Sequence, residues 1–179
     1  MKSTSLLLAL SLLLGACATP LKHEQLVPKT APVAAHTTGK HILVDPAIIT
    51  DVPKPSWTEP QWQHLDQDIL KRAIVDTLDR SGLFSAVGIT GPADYRLSTE
   101  VAGQQLVGTM SNIMLLLMRY QLVDTASGNI LWTENLLSYH HLSASDVFMG
   151  TDRVAQVVET AVRKNLQQLV TRLDANLPP

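Results

Sequence analysis

Residues 94–141 read DYRLSTEVAGQQLVGTMSNIMLLLMRYQLVDTASGNILWTENLLSYHH, and this stretch decides the fold. Tyr95, Leu97, Thr99 and Val101 alternate with Arg96, Ser98 and Glu100, the two-residue period of a strand with one face in a core. Residues 108–112 make a loop. Residues 113–124 form the next strand. Its first half, 113–118, is apolar on both faces. Its second half sets Arg119 and Gln121 against Tyr120 and Leu122. Residues 124–129 turn the chain, with Ser127, Gly128 and Asn129 supplying residues that tolerate positive φ. Residues 130–141 return as the hairpin partner. Short connections between three such strands predict an antiparallel meander.

Upstream, residues 41–45 (HILVD) read as a first strand ending at Pro46, and residues 46–57, with three prolines, as a loop. Thr58-Glu59-Pro60-Gln61 matches a helix capping box, with Trp57 and Trp62 placed as a hydrophobic staple. The helix that follows buries Leu70, Ala73, Ile74, Thr77 and Leu78. It stops at Ser81-Gly82, where Leu83 and Phe84 can fold back over its last turn. A short strand is expected near residues 84–90. Downstream, residues 152–174 form a helix with Val154, Val158, Ala161, Val162, Leu166, Leu169 and Leu173 on one side. Asn165 interrupts that side and needs a partner if buried. The expectation is one α+β domain over residues 40–176. It has one antiparallel sheet, mixed at its edge, of four to five strands, with two helices on one face.

Composition narrows the function. The chain has 179 residues, 45% of them apolar, a formal charge of −2 and one cysteine. It is long enough for one domain. Its charge gives no footprint for nucleic acid, and it holds neither a disulfide framework nor a cysteine-rich zinc site. The apolar run 6–14 follows Lys2. As a helix it covers roughly 14 Å, half a hydrocarbon core, which suits a secretory signal over residues 1–16 rather than a permanent span.

Leu14-Gly15-Ala16-Cys17 follows at once and resembles the bacterial lipobox. That resemblance implies cleavage before Cys17 and acylation of Cys17, hence membrane attachment through a lipid anchor. Ala18, where an Asp would retain the protein in the inner membrane, implies the periplasmic side of the outer membrane. Residues 17–39, rich in Ala, Thr, Pro, Lys and His and without period, read as a flexible tether to the domain.

The helix end LDRSGLFSAV (78–87), the strand start ADYRL (93–97), the turn DTASG (124–128) and ILW (130–132) are similar to ABC-type transport auxiliary lipoproteins. More distantly they resemble the amino-terminal domain of TolB. The likeness spans residues 40–174 and rests on packing motifs. It implies a docking or adaptor role in an envelope complex, beside an inner-membrane transporter or an outer-membrane component.

No catalytic constellation competes with that reading. There is no nucleophile elbow and no Gly-rich phosphate loop. His140 and His141 are adjacent on a strand and point to opposite faces, so no metal or other cofactor is expected. The feature that stands out is Ile113-Met114-Leu115-Leu116-Leu117-Met118. With helices on one sheet face, one alternating set is expected inside. The other is left to meet a protein, or to line an apolar groove in a lipid carrier or chaperone.

Overall fold

The computed structural model describes residues 21–30, 32–50, 65–107, 112–143 and 150–178. Within them lie a short helix α1 (His23–Leu26), strands β1 (His41–Val44) and β2 (Ile48–Ile49), and helix α2 (Gln67–Ser81). Strands β3 (Ala86–Gly88), β4 (Tyr95–Val107), β5 (Asn112–Asp124) and β6 (Ile130–Leu142) follow, and then helix α3 (Gly150–Asn176). The strands form one mixed sheet in the order β3-β1-β4-β5-β6, with β2 pairing the β4 edge beyond β1.

The long strands β4, β5 and β6 pair antiparallel as the meander predicts. β1 runs parallel to both β3 and β4. That direction follows from the chain path, because α2 crosses over between β1 and β3, and parallel neighbours need such a crossover. The described sheet thus has six strands and three helices flank it, against the four to five strands and two helices expected. The additions are small. β2 is two residues between prolines, held where Ile48 and Ile49 pair with Glu100 and Val101.

α2 begins later than expected. Leu65 and Asp66 are not helical, and the Asp66 carboxylate accepts from the backbone N–H groups of Asp68 and Ile69 at 2.9 and 3.0 Å. Asp66 therefore caps the helix, and the capping box at Thr58 and the tryptophan pair lie outside the described residues. The helix end is as read. Gly82 adopts φ 69° and bonds back to the Asp79 carbonyl, and Leu83 and Phe84 are buried.

Residues 21–30 and 32–39 depart most from expectation. Read as tether, they instead lie against the domain, with Leu21, Leu26 and Val27 in the core. Three apolar side chains buried together outweigh the absence of any period, and their backbone is tied down further along. Ala34 N–H donates to Ser81 O at 2.9 Å and Thr38 N–H to Leu83 O at 2.8 Å. The signal segment and Cys17 lie outside the described residues.

α3 covers β5 and β6. Its Val157, Val158, Ala161, Val162, Leu166, Leu169, Val170 and Leu173 are buried against Met114, Leu116, Met118, Tyr120, Leu122 and Leu136. Asn165 sits in this interface without exposure and finds its partners there. Its amide donates to Leu136 O at 2.8 Å, and its Oδ1 accepts from the Tyr120 hydroxyl at 2.9 Å. Burial pushes the Tyr120 hydroxyl pKa up, so the phenol stays protonated as a donor.

Candidate interaction face of the sheet

Alternation divides the apolar run between two environments. Met114, Leu116 and Met118 are fully buried toward the helices, in phase with Tyr120 and Leu122. Ile113, Leu115 and Leu117 point to the other face and are half-buried, in phase with exposed Arg119. The six residues singled out are therefore two sets, one structural and one on the open face.

Register sets the neighbours of the open set. Leu117 pairs with Gly103 on β4 and Leu137 on β6, Leu115 with Gln105 and Tyr139, and Ile113 with Val107 and His141. Residues directly opposite in an antiparallel pair share a face. Leu137 is 58% exposed, Tyr139 55% and Val107 41%, so the half-buried β5 leucines are flanked by largely open apolar side chains. A register shift separates Val101, on the core face, from Gly103 and moves Gly103 onto the open face opposite Leu117. With no side chain there, the flank of Leu117 is left uncovered. A Cβ at Gly103 would stand 3.7 Å from the Leu117 Cβ, ordinary contact, so the gap is not forced by crowding.

The other end of the same face is ionic. Arg119 donates to Glu100 Oε2 at 3.0 Å and to Asn135 Oδ1 at 3.1 Å, and the Thr50 hydroxyl donates to Glu100 Oε1 at 3.0 Å. Arg96 donates to Asp45 Oδ1 at 2.6 Å, and that bond raises the already high Arg96 pKa. These exposed pairs add little stability. They mark where the apolar patch stops. At the β6 edge, Lys164 of α3 donates to the Tyr139 carbonyl at 3.1 Å, and its ammonium lies 5.9 Å from the centre of the Tyr139 ring. A charged cover on an edge carbonyl hinders strand addition, so the open face rather than the β6 edge is the accessible contact.

The arrangement offers apolar contact bordered by fixed charges. Among the described residues no group of three or more His, Cys, Asp or Glu side chains is placed to hold a metal ion. No helix among them is long and apolar enough to cross a membrane. Sequence reading found the β5 residues of the patch and missed Val107, Leu137 and Tyr139. The alternation of Leu137 and Tyr139 with buried Leu136 and Ser138 was the signal available for two of them.

No family model and no curated protein sequence matches the chain. Its fold has solved counterparts. A Xanthomonas campestris protein of the family DUF330 superposes with a TM-score of 0.63 at 17% identity, over 84% of this chain and 91% of that one. A hypothetical protein from Chlamydia trachomatis gives 0.58 at 11% identity, over 76% and 97%. A minor lipoprotein from Acinetobacter baumannii gives 0.49 at 14% identity, over 80% and 100%. At these identities the first two likenesses are of fold alone.

Proposed function

We propose that this chain is a non-enzymatic lipoprotein of the bacterial envelope, anchored through acylated Cys17 on the periplasmic side of the outer membrane. In this reading it docks a protein of an envelope transport or assembly complex. The observation that carries the docking role is the apolar end of the open sheet face, Leu115 and Leu117 flanked by Leu137 and Tyr139. An exposed apolar patch of this kind suits a protein surface. Carriage of an acyl chain, the alternative reading, needs a concave site that encloses most of its ligand. The anchor rests on the lipobox resemblance and the transport complex on the likeness to auxiliary lipoproteins.

The test is a photo-crosslinking amino acid at Tyr139 in the full-length protein in intact cells, with the same probe at Glu24 as control. The expected result is a protein adduct of defined mass from Tyr139 that Leu117→Asp removes. A phospholipid adduct at Tyr139 would favour carriage. Equal adducts from both positions would defeat the docking role.

A further inference from the structure

The distance between Cys17 and the domain is short. Leu21 is 7% exposed and belongs to the core, so only four residue steps separate it from Cys17. Fully extended, that length spans at most about 14 Å. Nor does the segment after Leu21 supply slack. His23 Nε2 stands 3.4 Å from Asp76 of α2, and Leu26 and Val27 are buried. Ala35 N–H donates to the Asp174 carboxylate of α3, and His36 pairs Asp174 at 3.2 Å and Leu177 O at 3.1 Å.

These partners lie on α2, on α3 and just after them, so the strap lies on the helical side of the sheet. The helical layer is packed about 10 Å from the sheet, and a path from the strap to the open face of β5 and β6 must in addition go round an edge of the sheet. A 14 Å lead does not reach round the helices and the sheet to that face. We infer that, with Cys17 acylated, the helical layer rests on the bilayer surface and the apolar open face is turned away from it. The inference rests on the proposed acylation of Cys17. It deepens the docking proposal, because the bilayer that holds the anchor is then not what covers Leu137 and Tyr139. The partner approaches from the aqueous side.

The test uses the full-length acylated protein in phosphatidylethanolamine–phosphatidylglycerol vesicles carrying a nitroxide on the lipid headgroup. A fluorophore is attached at Arg72→Cys, on the exposed side of α2 one turn from Asp76, or at Leu137→Cys on the open face. Cys17, being acylated, does not take the label. Several-fold stronger quenching at position 72 than at 137 is expected. A flexible Gly/Ser insertion of about twelve residues after Ala18 is expected to abolish the difference. Equal quenching, stronger quenching at 137, or a difference that survives the insertion would overturn the orientation. Asp79→Cys, also exposed on α2, serves if Arg72→Cys does not fold. Protein that fails to float with the vesicles would overturn the acylation reading itself, and the orientation with it. Protein that floats but is quenched equally at both positions would overturn the orientation alone.

Discussion

The Tyr120 hydroxyl donates to Asn165 Oδ1 at 2.9 Å, at the centre of the interface between α3 and the sheet. The same amide donates to Leu136 O at 2.8 Å and reaches Ser138 Oγ at 3.4 Å, so one side chain ties α3 to β5 and β6. A buried network of this kind is costly when half-dismantled. Tyr120→Phe leaves Asn165 Oδ1 without its donor and is expected to cost about 1–3 kcal/mol. Asn165→Ala also opens a void and should cost about 2–4 kcal/mol. The double variant should lose less than the sum by about 1 kcal/mol. Urea unfolding of the four proteins measures the coupling, and strict additivity would show that the bond contributes nothing.

Thr99 presents the opposite case. It is 1% exposed, and its hydroxyl oxygen has no hydrogen-bond partner among the described residues. Its face is apolar, opposite Tyr120 across the β4–β5 pair. Thr99→Val keeps the shape and removes the unsatisfied group, so stability should rise by about 1 kcal/mol or somewhat more. A lower denaturation midpoint for the variant would mean that the hydroxyl is satisfied.

Backbone periodicity carried most of the fold into the sequence. The meander is legible because each strand has a polar half that sets its phase, and the α2 end because Gly82 supplies the left-handed cap. Other elements depend on tertiary partners. Ile48 and Ile49 form a strand only because β4 offers an edge, and residues 21–30 look like a tether until Leu21, Leu26 and Val27 are seen to fill space beside the helices. Sequence reading missed the cap of α2: Asp66, next to the start of the apolar periodicity, caps the helix, whereas the capping box read at Thr58 lies outside the described residues. In the candidate site, both sets of the run 113–118 are apolar, so composition alone could not choose between them. Phase with Tyr120 and Leu122, rather than with Arg119, fixes the choice.

The two caps of α2 are testable together. Asp66→Ala removes the acceptor of two N–H groups and should cost about 0.5–2 kcal/mol. Gly82→Ala meets no neighbour within 4 Å, so its cost should be the left-handed strain alone, about 1–2 kcal/mol. Thermal or urea midpoints unchanged by either would place the helix ends elsewhere.

Acid should loosen the β1–β4 corner and the β5–β6 turn. The backbone N–H of His41 leads in holding the Asp94 carboxyl below its ordinary value of 3.8, and Lys40 adds to it. The backbone N–H and hydroxyl of Ser127 do the same for Asp124. A carboxyl depressed on folding stabilises the fold above its unfolded pKa and loses that contribution as pH falls through the folded value. Glu159 runs the other way. Burial raises its carboxyl pKa despite the Arg163 guanidinium at 3.0 Å, so its contribution declines as pH rises through its range. The expectation is a fall in the urea midpoint below about pH 4, shallower in an Asp94→Asn, Asp124→Asn double variant. Parallel profiles would discount both aspartates.

Leu115 and Leu116 separate folding from docking most cleanly, because they are adjacent and chemically identical but face opposite ways. Leu116 has no exposure and packs under α3, whereas Leu115 is half-buried beside Tyr139. Leu116→Ser leaves a cavity and buries an unpaired hydroxyl, and it should cost about 3–5 kcal/mol, a large share of a domain's stability. Leu115→Ser loses only part of a leucine's burial, and its hydroxyl reaches water, so about 1 kcal/mol is expected. If the open face docks a protein, the stable Leu115→Ser variant should lose the Tyr139 crosslink while keeping its fold and its membrane association. Equal and severe unfolding by both changes would show that residues 113–118 are core on both faces. A fully folded Leu115→Ser protein that keeps the crosslink would place the partner's contact elsewhere on the sheet.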